Sequence, residues 1–372
     1  MLIERGAPTW RDRPEQELRE DWGFDEERPL ATDGWSGSTF SEVLRFDGRQ
    51  RLILKRSSPA VDWIVRATLD DGVREATLPS VLLGWFAPLG RHVTGLFGGF
   101  LDAGCGDDGS AVILQEDLTS TLGAWPRVDG TVLTVEGLDH LLSSIGLLHA
   151  SHWSTAIEDG WARQGVEPAW CPLPERLTLL TRRSAEGYTT DGNPVGPIFL
   201  RGWEGFGRHA PREALDLVEG LGADPAPLVD ALGRLPVRGL HGDLKLANAA
   251  TNGALIDWQM TLRGPVAVEL GWFLVTNSAE LPLPPDEVLA HYRAALSRWS
   301  TWDGATETDE LETILGDWEA QVDLAMVVGL LLRGWRKGRD TDDGVTLGSG
   351  VSAADDLAWW CRRAVEAAER RL

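Results

Sequence analysis

The segments GLHGDLKLAN (239–248) and LIDWQ (255–259) decide how this chain is interpreted. They place Asp243 and Asn248 on one short loop and a further aspartate, Asp257, just downstream. Asp and Asn are common in turns, because their side chains hydrogen-bond to nearby backbone. Carboxylate and amide oxygens are also the ligands that Mg²⁺ prefers, together with water and phosphate oxygens. The rest of the chain must distinguish turn residues from a site for a metal–nucleotide complex.

The composition is that of a globular chain with an acidic surface. The 372 residues carry a formal net charge of −22, and 25% of them are charged. This length suits two domains or lobes. The negative charge argues against nucleic acid or an anionic membrane as a partner. It is compatible with a cationic substrate, although an acidic surface mainly confers solubility.

Several features indicate a cytoplasmic protein. The N-terminus is charged from Glu4 onward, which is unlike a secretory signal. The most apolar helical stretch, LAMVVGLLL (324–332), ends at Arg333 and is too short to cross a bilayer. The three cysteines are far apart and fit neither a disulfide framework nor a zinc site.

The pattern along the chain predicts a small β-rich part followed by a larger helical part. Apolar residues and turn signals predict strands at 38–46, 49–55 and 111–118. Helical spacing is found at 61–85, 134–153, 174–186, 211–232, 284–300, 308–337 and 351–371. The segment AATNGALID (249–257) predicts two short strands around an Asn-Gly turn.

The β-rich part contains residues suited to binding phosphates. Lys55 ends a predicted strand, and Glu75 lies on the next helical segment. A lysine held by a glutamate in this way can reach phosphate oxygens as a compact charge. Only three lysines occur in the chain, which makes one at this place conspicuous. Backbone amides of the preceding turn, at Ser36, Gly37 and Ser38, could cover the phosphates.

In this order, the motifs resemble those of the aminoglycoside phosphotransferase and choline kinase-like family of small-molecule kinases. The matching segments are the glycine-rich turn, LILK (52–55), VREA (73–76), ILQEDL (113–118), LHGDLKLAN (240–248) and LIDWQ (255–259). The resemblance implies an α+β, bilobal fold of the protein-kinase type, with a small antiparallel β-sheet lobe and a larger, mainly helical lobe. Residues 1–118 would form the nucleotide-binding lobe, including the inter-lobe strand, and residues 119–372 the catalytic and acceptor-binding lobe.

The resemblance also assigns roles to the central residues. Asp243 would be the catalytic base, and Asn248 and Asp257 would hold Mg²⁺. Lys55, paired with Glu75, would hold the phosphates of ATP.

Further roles follow from the same resemblance. The backbone of Glu116 to Leu118 would hydrogen-bond to the adenine ring, and Lys245 would touch the γ-phosphate. His241 would brace the loop rather than move protons. Glu269 stands where the family usually has aspartate, which leaves open how the catalytic loop is braced.

The expected activity is transfer of the γ-phosphate of ATP to a hydroxyl of a small molecule: an aminoglycoside, an amino sugar, a sugar or an amino alcohol. The acidity of the chain favours a cationic acceptor. Four tryptophans could present an aromatic surface to it, although a core position is the commoner role of tryptophan. They are Trp153, Trp161, Trp170 and Trp203.

Three alternatives remain open on the sequence alone. The first is an inactive, kinase-like module that binds nucleotide for regulation, which the complete set of predicted site residues disfavours. The second is a protein kinase, which the lack of an Ala-Pro-Glu motif after Asp257 disfavours. The third is a hydrolase that uses the same carboxylates on a metal, which would leave Lys55 without a role.

Overall fold

The computed structural model describes residues 10–30, 38–45, 51–78, 95–97, 99–118, 120–122, 132–164, 170–300 and 310–372. Within these ranges the chain forms a small lobe built on a β-sheet and a larger lobe built of helices. This is the two-part α+β architecture that the sequence predicts.

A five-stranded antiparallel sheet, in the order β1-β2-β3-β5-β4, forms the described part of the small lobe. Its strands are β1 (Phe24–Pro29), β2 (Thr39–Arg45), β3 (Arg51–Ser57), β4 (Phe100–Cys105) and β5 (Ala111–Glu116). Two helices accompany it, α1 (Glu15–Trp22) and α2 (Trp63–Ala67), and residues 74–78 are also helical. Strands β2, β3 and β5 occur where the sequence predicts them.

Helices or neighbouring segments cover both faces of this sheet, which explains the unbroken apolar run at the start of β5. Successive side chains of a strand point to opposite faces. Val112 accordingly packs with Leu18 of α1 on one face, and Ile113 packs with Ala76 on the other. Packing of Ala76 against the sheet brings the neighbouring Glu75 close to β3.

The large lobe is helical and surrounds one long central helix. Its helices are α3 (Val135–Ala150), α4 (Trp153–Gln164), α5 (Leu173–Thr178), α6 (Arg182–Thr190), α7 (Val195–His209), α8 (Arg212–Ala223), α9 (Ala226–Leu232), α10 (Val266–Thr276), α11 (Pro285–Ser300), α12 (Leu311–Leu315), α13 (Trp318–Asp342) and α14 (Ala353–Arg371). Helix α13 is central, because it packs against α7, α10 and α14. No helix in the described part of the chain is long and apolar enough to cross a membrane.

Two predicted elements differ in the structure. The helix expected at 308–337 is divided at Gly316, which has a φ of +59°, and its second part continues to Asp342. The segment 249–257 is not a two-stranded hairpin, since it contains only an isolated bridge between Ala249 and Leu255. Asp257 has a φ of +66°, and this left-handed conformation ends the extended backbone there.

A different hairpin frames the central motifs. Strand β6 (Arg238–Leu240) pairs with β7 (Leu262–Gly264) in antiparallel register. The motif residues 241–261 therefore form one long connection between two paired strands. This pairing fixes both ends of the connection and brings the two motifs into the same region.

Candidate active site

Lys55 is at the centre of an ion-pair cluster that joins the two lobes. Its Nζ atom lies 2.6 Å from Glu75 Oε2 and 2.6 Å from Asp257 Oδ1. The side chains of Lys55 and Glu75 are only 2% and 1% exposed. Strand β3, the helical residues 74–78 and the LIDWQ segment each contribute one member. Charges buried in this way attract each other more strongly than charges in water.

The charges of this cluster shift one another's pKa values. Burial disfavours the Lys55 ammonium, but the carboxylates of Asp257 and Glu75 outweigh this and raise its pKa well above the usual value. Burial also disfavours ionised Asp257, yet Lys55 and Lys245 lower the pKa of that carboxyl group. Burial raises the pKa of Glu75, against the effect of Lys55 and with a further contribution from Asp257. The ammonium of Lys55 is therefore held firmly in its charged form.

Two adjacent residues, Arg74 and Glu75, hold the backbone that follows Asp257. Glu75 Oε1 accepts a hydrogen bond from the amide of Trp258 at 3.1 Å. Arg74 Nη1 donates to the carbonyl of Gln259 at 2.5 Å. This role of Arg74 is not visible in the sequence, because nothing in VREA indicates that its guanidinium reaches a distant carbonyl. These two hydrogen bonds attach the LIDWQ segment (255–259) to the small lobe.

Asp243 lies in the loop between β6 and the 3₁₀ helix Leu246–Asn248. Its Oδ2 atom accepts hydrogen bonds from Lys245 Nζ at 2.8 Å and from Asn248 Nδ2 at 3.1 Å. Its Oδ1 atom is buried and accepts none from the residues that the structure describes. A buried carboxylate oxygen without a partner is unusual, and it leaves an acceptor ready for a substrate hydroxyl.

Lys245 stays charged beside this aspartate. Burial disfavours its ammonium, but the carboxylates of Asp243 and Asp257 outweigh burial and raise its pKa. The ammonium thus neutralises one side of Asp243 and leaves the other side to a ligand.

The residues predicted to hold a metal are adjacent and fit Mg²⁺. The Ile256 amide donates to the Asn248 carbonyl at 2.9 Å, which brings the two motifs together. Asn248 donates through Nδ2, so its amide oxygen remains available as a ligand. Only Oδ1 of Asp257 contacts Lys55. Mg²⁺ commonly takes one or two protein ligands together with phosphate oxygens and water. Among the described residues, no group of three or more His, Cys, Asp or Glu side chains is arranged to hold a metal ion.

Glu269 of α10 binds the backbone of the loop that contains Asp243. Its Oε2 atom accepts the His241 amide at 3.1 Å, and its Oε1 atom accepts the Gly242 amide at 2.7 Å. His149 of α3 lies 2.9 Å from Glu269 Oε2 and 2.8 Å from the Tyr292 hydroxyl. Burial disfavours ionised Glu269, but His149 and the loop amides lower its pKa. The glutamate therefore braces the loop, and His149 is part of the brace.

The shape of the loop requires glycine at position 242. Gly242 has a φ of +84°, and a Cβ atom there would lie 1.9 Å from the Met260 carbonyl oxygen. His241 donates from Nε2 to the Ile256 carbonyl at 2.9 Å and accepts the Asp243 amide at Nδ1, at 3.3 Å. Burial lowers the pKa of His241, which favours this neutral form. These contacts support the bracing role expected for His241.

A comparison with known protein families assigns the chain to one of them. The model of the phosphotransferase enzyme family (APH) matches residues 32–307, which include all of the contacts above. The chain belongs to this phosphotransferase family. The resemblance seen in the sequence is thereby confirmed, as is the bilobal fold of the protein-kinase type.

Two solved structures are similar over nearly the whole chain. One is a protein of Ralstonia eutropha JMP134 described as a candidate aminoglycoside phosphotransferase, with 14% identity over 96% of this chain and 98% of that chain, and a TM-score of 0.43. The other is an ethanolamine kinase of Plasmodium vivax, with 11% identity over 95% of this chain and 83% of that chain, and a TM-score of 0.46. No curated protein matches the chain by sequence. The family assignment rests on the family model.

The turn that was expected to cover the phosphates of this family member is described only in part. Ser36 and Gly37 lie outside the described residues. Ser38 is buried just before β2, and its hydroxyl donates to Asp62 Oδ2 at 2.6 Å. Asp62 also caps the N-terminus of α2. Ser38 thus ties the start of β2 to α2.

Some of the backbone groups expected to bind adenine, at Glu116 to Leu118, already form hydrogen bonds within the protein. The amide of Glu116 donates to the Gly99 carbonyl at 2.8 Å, so this donor is occupied. The Leu118 carbonyl accepts the amides of Thr121 and Leu122 at 2.8 and 2.9 Å. The amide of Leu118 donates to no residue that the structure describes, so this donor remains available.

The tryptophans proposed as an acceptor surface mainly fill the core. Trp153, Trp161 and Trp203 are at most 2% exposed, and only Trp170 is partly exposed. Their common role as core residues therefore applies here. Another aromatic feature of this phosphotransferase, the stacking of Arg176 and Arg333 on Trp272, is not visible in the sequence.

Proposed function

We propose that this phosphotransferase transfers the γ-phosphate of ATP, bound with Mg²⁺, to a hydroxyl group of a small molecule. The observation that carries the proposal is the bridge from Lys55 to Glu75 and Asp257, next to the unpartnered Oδ1 of Asp243. A cation for phosphates, a pair of metal ligands and a base are the groups that phosphoryl transfer needs.

The buried oxygen of Asp243 supports its role as the catalytic base. Oδ1 would accept the hydrogen bond of the acceptor hydroxyl and then its proton, as the hydroxyl oxygen bonds to phosphorus and ADP leaves. Lys245 and Asn248 hold the other carboxylate oxygen, which fixes the direction of Oδ1. Lys245 is close enough to this carboxylate to serve the transferred phosphate as well.

The nucleotide would be held by the groups on the small-lobe side. Lys55, positioned by Glu75, would donate to its phosphate oxygens. Asn248 and Asp257 would hold Mg²⁺, which neutralises phosphate charge when it is bound. The free amide of Leu118 supports binding of adenine beside the inter-lobe strand. We retain residue 118 as the proposed boundary between the lobes, and a cytoplasmic location as a proposal from the sequence.

The direct test is ADP release by the purified chain with ATP and Mg²⁺. The acceptors to compare are aminoglycosides, amino sugars, neutral sugars, sugar acids, choline and homoserine, with a control lacking acceptor. We expect one class to stimulate ADP release, and we expect Asp243→Ala to abolish that stimulation while nucleotide binding is retained. Unchanged turnover in Asp243→Ala would contradict the role of this residue. Tight ATP binding without stimulation by any acceptor would favour the inactive module instead.

A further inference from the structure

Arg333 of α13 is a partly buried arginine without a carboxylate partner among the residues that the structure describes. Its Nε atom donates to Thr276 Oγ1 at 3.1 Å, and it makes no other hydrogen bond to the described residues. Both terminal nitrogens of its guanidinium are therefore free to donate. Arg336, one turn further along α13, instead pairs with Asp340 at 2.8 Å.

A second arginine shares the aromatic support of Arg333. The Cζ atoms of Arg176 and Arg333 lie 4.4 Å and 4.7 Å from the centre of the Trp272 ring. A cation–π contact holds a guanidinium in place but neither neutralises its charge nor occupies its N–H groups. The ring thus positions two cations and leaves their charge available.

Arg176 connects this pair to the catalytic loop. Its Nε atom donates to the Gly242 carbonyl at 2.8 Å, whereas its two terminal nitrogens are fully buried and have no hydrogen-bond partner in the described structure. Leaving a buried charged donor unpaired is unfavourable. An arginine in this state, directly behind the residue before Asp243, indicates that the region is built to attract negative charge.

The charge of Arg333 also interacts with charged residues of the catalytic loop. Its charge interacts with that of Asp243 and repels that of Lys245. Burial, followed by repulsion from Arg336, lowers the pKa of Arg333 to about 9. Arg339 adds further positive charge nearby. In a chain of net charge −22, this is a local excess of positive charge beside the catalytic loop.

The nearby acidic residues do not form a site for a cation. Asp340 is occupied by Arg336 at 2.8 Å and is also 3.6 Å from Arg339. Glu280 interacts with the charges of Arg336 and Arg333. Both carboxylates therefore already interact with arginines.

We propose that the acceptor is an alcohol with an anionic group, a carboxylate or a phosphate, and that the terminal nitrogens of Arg333 bind this oxyanion while the hydroxyl reaches Asp243. A guanidinium matches either oxyanion with two parallel N–H donors. Arg176 is a positioning residue that adds positive charge from behind the loop. This inference rests on the proposed phosphotransferase function, and it departs from the cationic acceptor suggested by the net charge.

Matched compounds can separate the charge of the acceptor from its skeleton. Glucose, glucosamine, glucuronate and glucose 6-phosphate differ mainly in charge, as do glycerol, 3-amino-1,2-propanediol, glycerate and glycerol 3-phosphate. Calorimetric binding and ADP release with MgATP would be measured for each compound. We expect the anionic members of at least one set to bind at least about tenfold more tightly than the neutral and cationic members. The better of glucuronate and glucose 6-phosphate, or of the corresponding three-carbon pair, distinguishes carboxylate from phosphate.

Substitution of Arg333 tests the assignment to this residue. Arg333→Gln should raise the KM of the anionic acceptor at least about tenfold and leave the KM of ATP unchanged. Arg333→Lys should lose less, because it retains the charge without the two parallel donors. The matched control is Arg293→Gln, since Arg293 lies 5.6 Å from the Trp318 ring and should leave both values unchanged. Thermal unfolding of each variant verifies that it is folded.

The outcomes distinguish this inference from the proposed function. The inference is overturned if neutral or cationic members bind as well as the anionic ones, if no anionic member binds, or if Arg333→Gln raises the KM of ATP instead. Binding of an anion that depends on Arg333, without ADP release, would support the anion site and contradict the phosphotransferase proposal. Turnover of a neutral acceptor that Arg333→Gln does not affect would support the phosphotransferase proposal and contradict the anion site.

Discussion

Lys55 and Arg333 are two cations of the proposed active site, and their surroundings are opposite. Lys55 is paired with Glu75 and Asp257, both at 2.6 Å. Arg333 has a hydroxyl and the indole rings of Trp272 and Trp335 for neighbours, and no described carboxylate pairs with it. A compensated cation is fixed by the protein before any ligand binds, whereas an uncompensated one is stabilised by a ligand of opposite charge. Ion pairing, rather than residue type, thus distinguishes the proposed nucleotide side from the proposed acceptor side.

The side chains suit these different surroundings. The compact ammonium of lysine fits between two carboxylates, whereas the planar guanidinium stacks on an aromatic ring and retains free donors. All three lysines of the chain form ion pairs with carboxylates. Lys245 pairs with Asp243, and Lys337 pairs with Asp356. Lysine occurs in this arginine-rich chain where a carboxylate needs a small cation.

Substitution of Lys55 should have the largest effect, because it removes the compensated cation. In Lys55→Met the carboxylates of Glu75 and Asp257 lose their partner, so we expect a loss of about 3–5 kcal/mol in the free energy of unfolding. Affinity for MgATP should fall as well. Guanidinium chloride denaturation and binding of a fluorescent nucleotide measure the two effects.

Lys337→Met is the matched control for this substitution. Lys337 is a buried lysine, 2% exposed, that pairs with Asp356 of α14 and with neither of the carboxylates around Lys55. The Lys337→Met variant should have a lower free energy of unfolding, while its folded form keeps the affinity of the wild type for nucleotide. Equal loss of nucleotide affinity in both variants would show that Lys55 acts only through stability.

The next effect concerns the loop that lies between the two cations. Gly242→Ala should destabilise the chain by more than the roughly 1–3 kcal/mol of a strained backbone, because its Cβ atom would also meet the Met260 carbonyl at 1.9 Å. Gly192→Ala is the control, since Gly192 has a φ of +74° but nothing within 4 Å of the added carbon. Urea denaturation should rank Gly242→Ala as clearly less stable than Gly192→Ala, and similar values would contradict the tight contact seen here.

The brace of this loop predicts a dependence on pH. The folded pKa of Glu269 is lowered, so the unfolded state binds more protons at acid pH and the stabilisation is lost as the pH falls below about 5. The folded pKa of His241 is also lowered, and its contribution is lost as the pH falls below about 6.5. Glu269→Gln should reduce the loss below about pH 5, to which Asp257 and other carboxyl groups with lowered pKa values still contribute, and it should retain the loss at higher pH. It should cost about 1–3 kcal/mol at neutral pH.

Denaturation midpoints measured between pH 4 and pH 8 provide the test. Glu158→Gln is the control, since that carboxylate is 27% exposed and pairs with Arg263 on the surface. The control should keep the acid dependence of the wild-type chain. A Glu269→Gln variant with the same dependence as the wild type would exclude Glu269 as its source.

The sequence indicated the cluster around Lys55 but not the surroundings of Arg333, for a physical reason. Asp243, Asn248 and Asp257 are close in sequence, and the order of motifs along the chain is enough to associate Lys55 with Glu75. Their chemistry is visible in the residues themselves. An unpaired charge is different, because it is defined by the groups that are absent around it in space. Neither Arg176 nor Arg333 could be distinguished by sequence from the other arginines.

The fold shows the same limit at particular elements. Strand β1 has the sequence FDEERP, and its charged residues and terminal proline are tolerated because it lies at the sheet edge. Helix α7 contains glycines that predict breaks, but Gly202 is required by packing, since a Cβ atom there would lie 2.4 Å from the Trp335 carbonyl. Both elements depend on tertiary neighbours that the sequence pattern does not reveal.

The smallest expected effect concerns the hydroxyl that orients Arg333. Thr276→Val removes its one described hydrogen bond but retains the shape of the side chain and the contact of Arg333 with Trp272. Loss of one hydrogen bond, about 1 kcal/mol, predicts a rise of about fivefold in the KM of an anionic acceptor and little change in the KM of ATP. Thr190→Val is the control, because that hydroxyl only contacts the Glu186 carbonyl of its own exposed helix. A larger effect on ATP than on the acceptor would mean that Arg333, like Lys55, belongs to the nucleotide side, and the contrast between the two cations would then disappear.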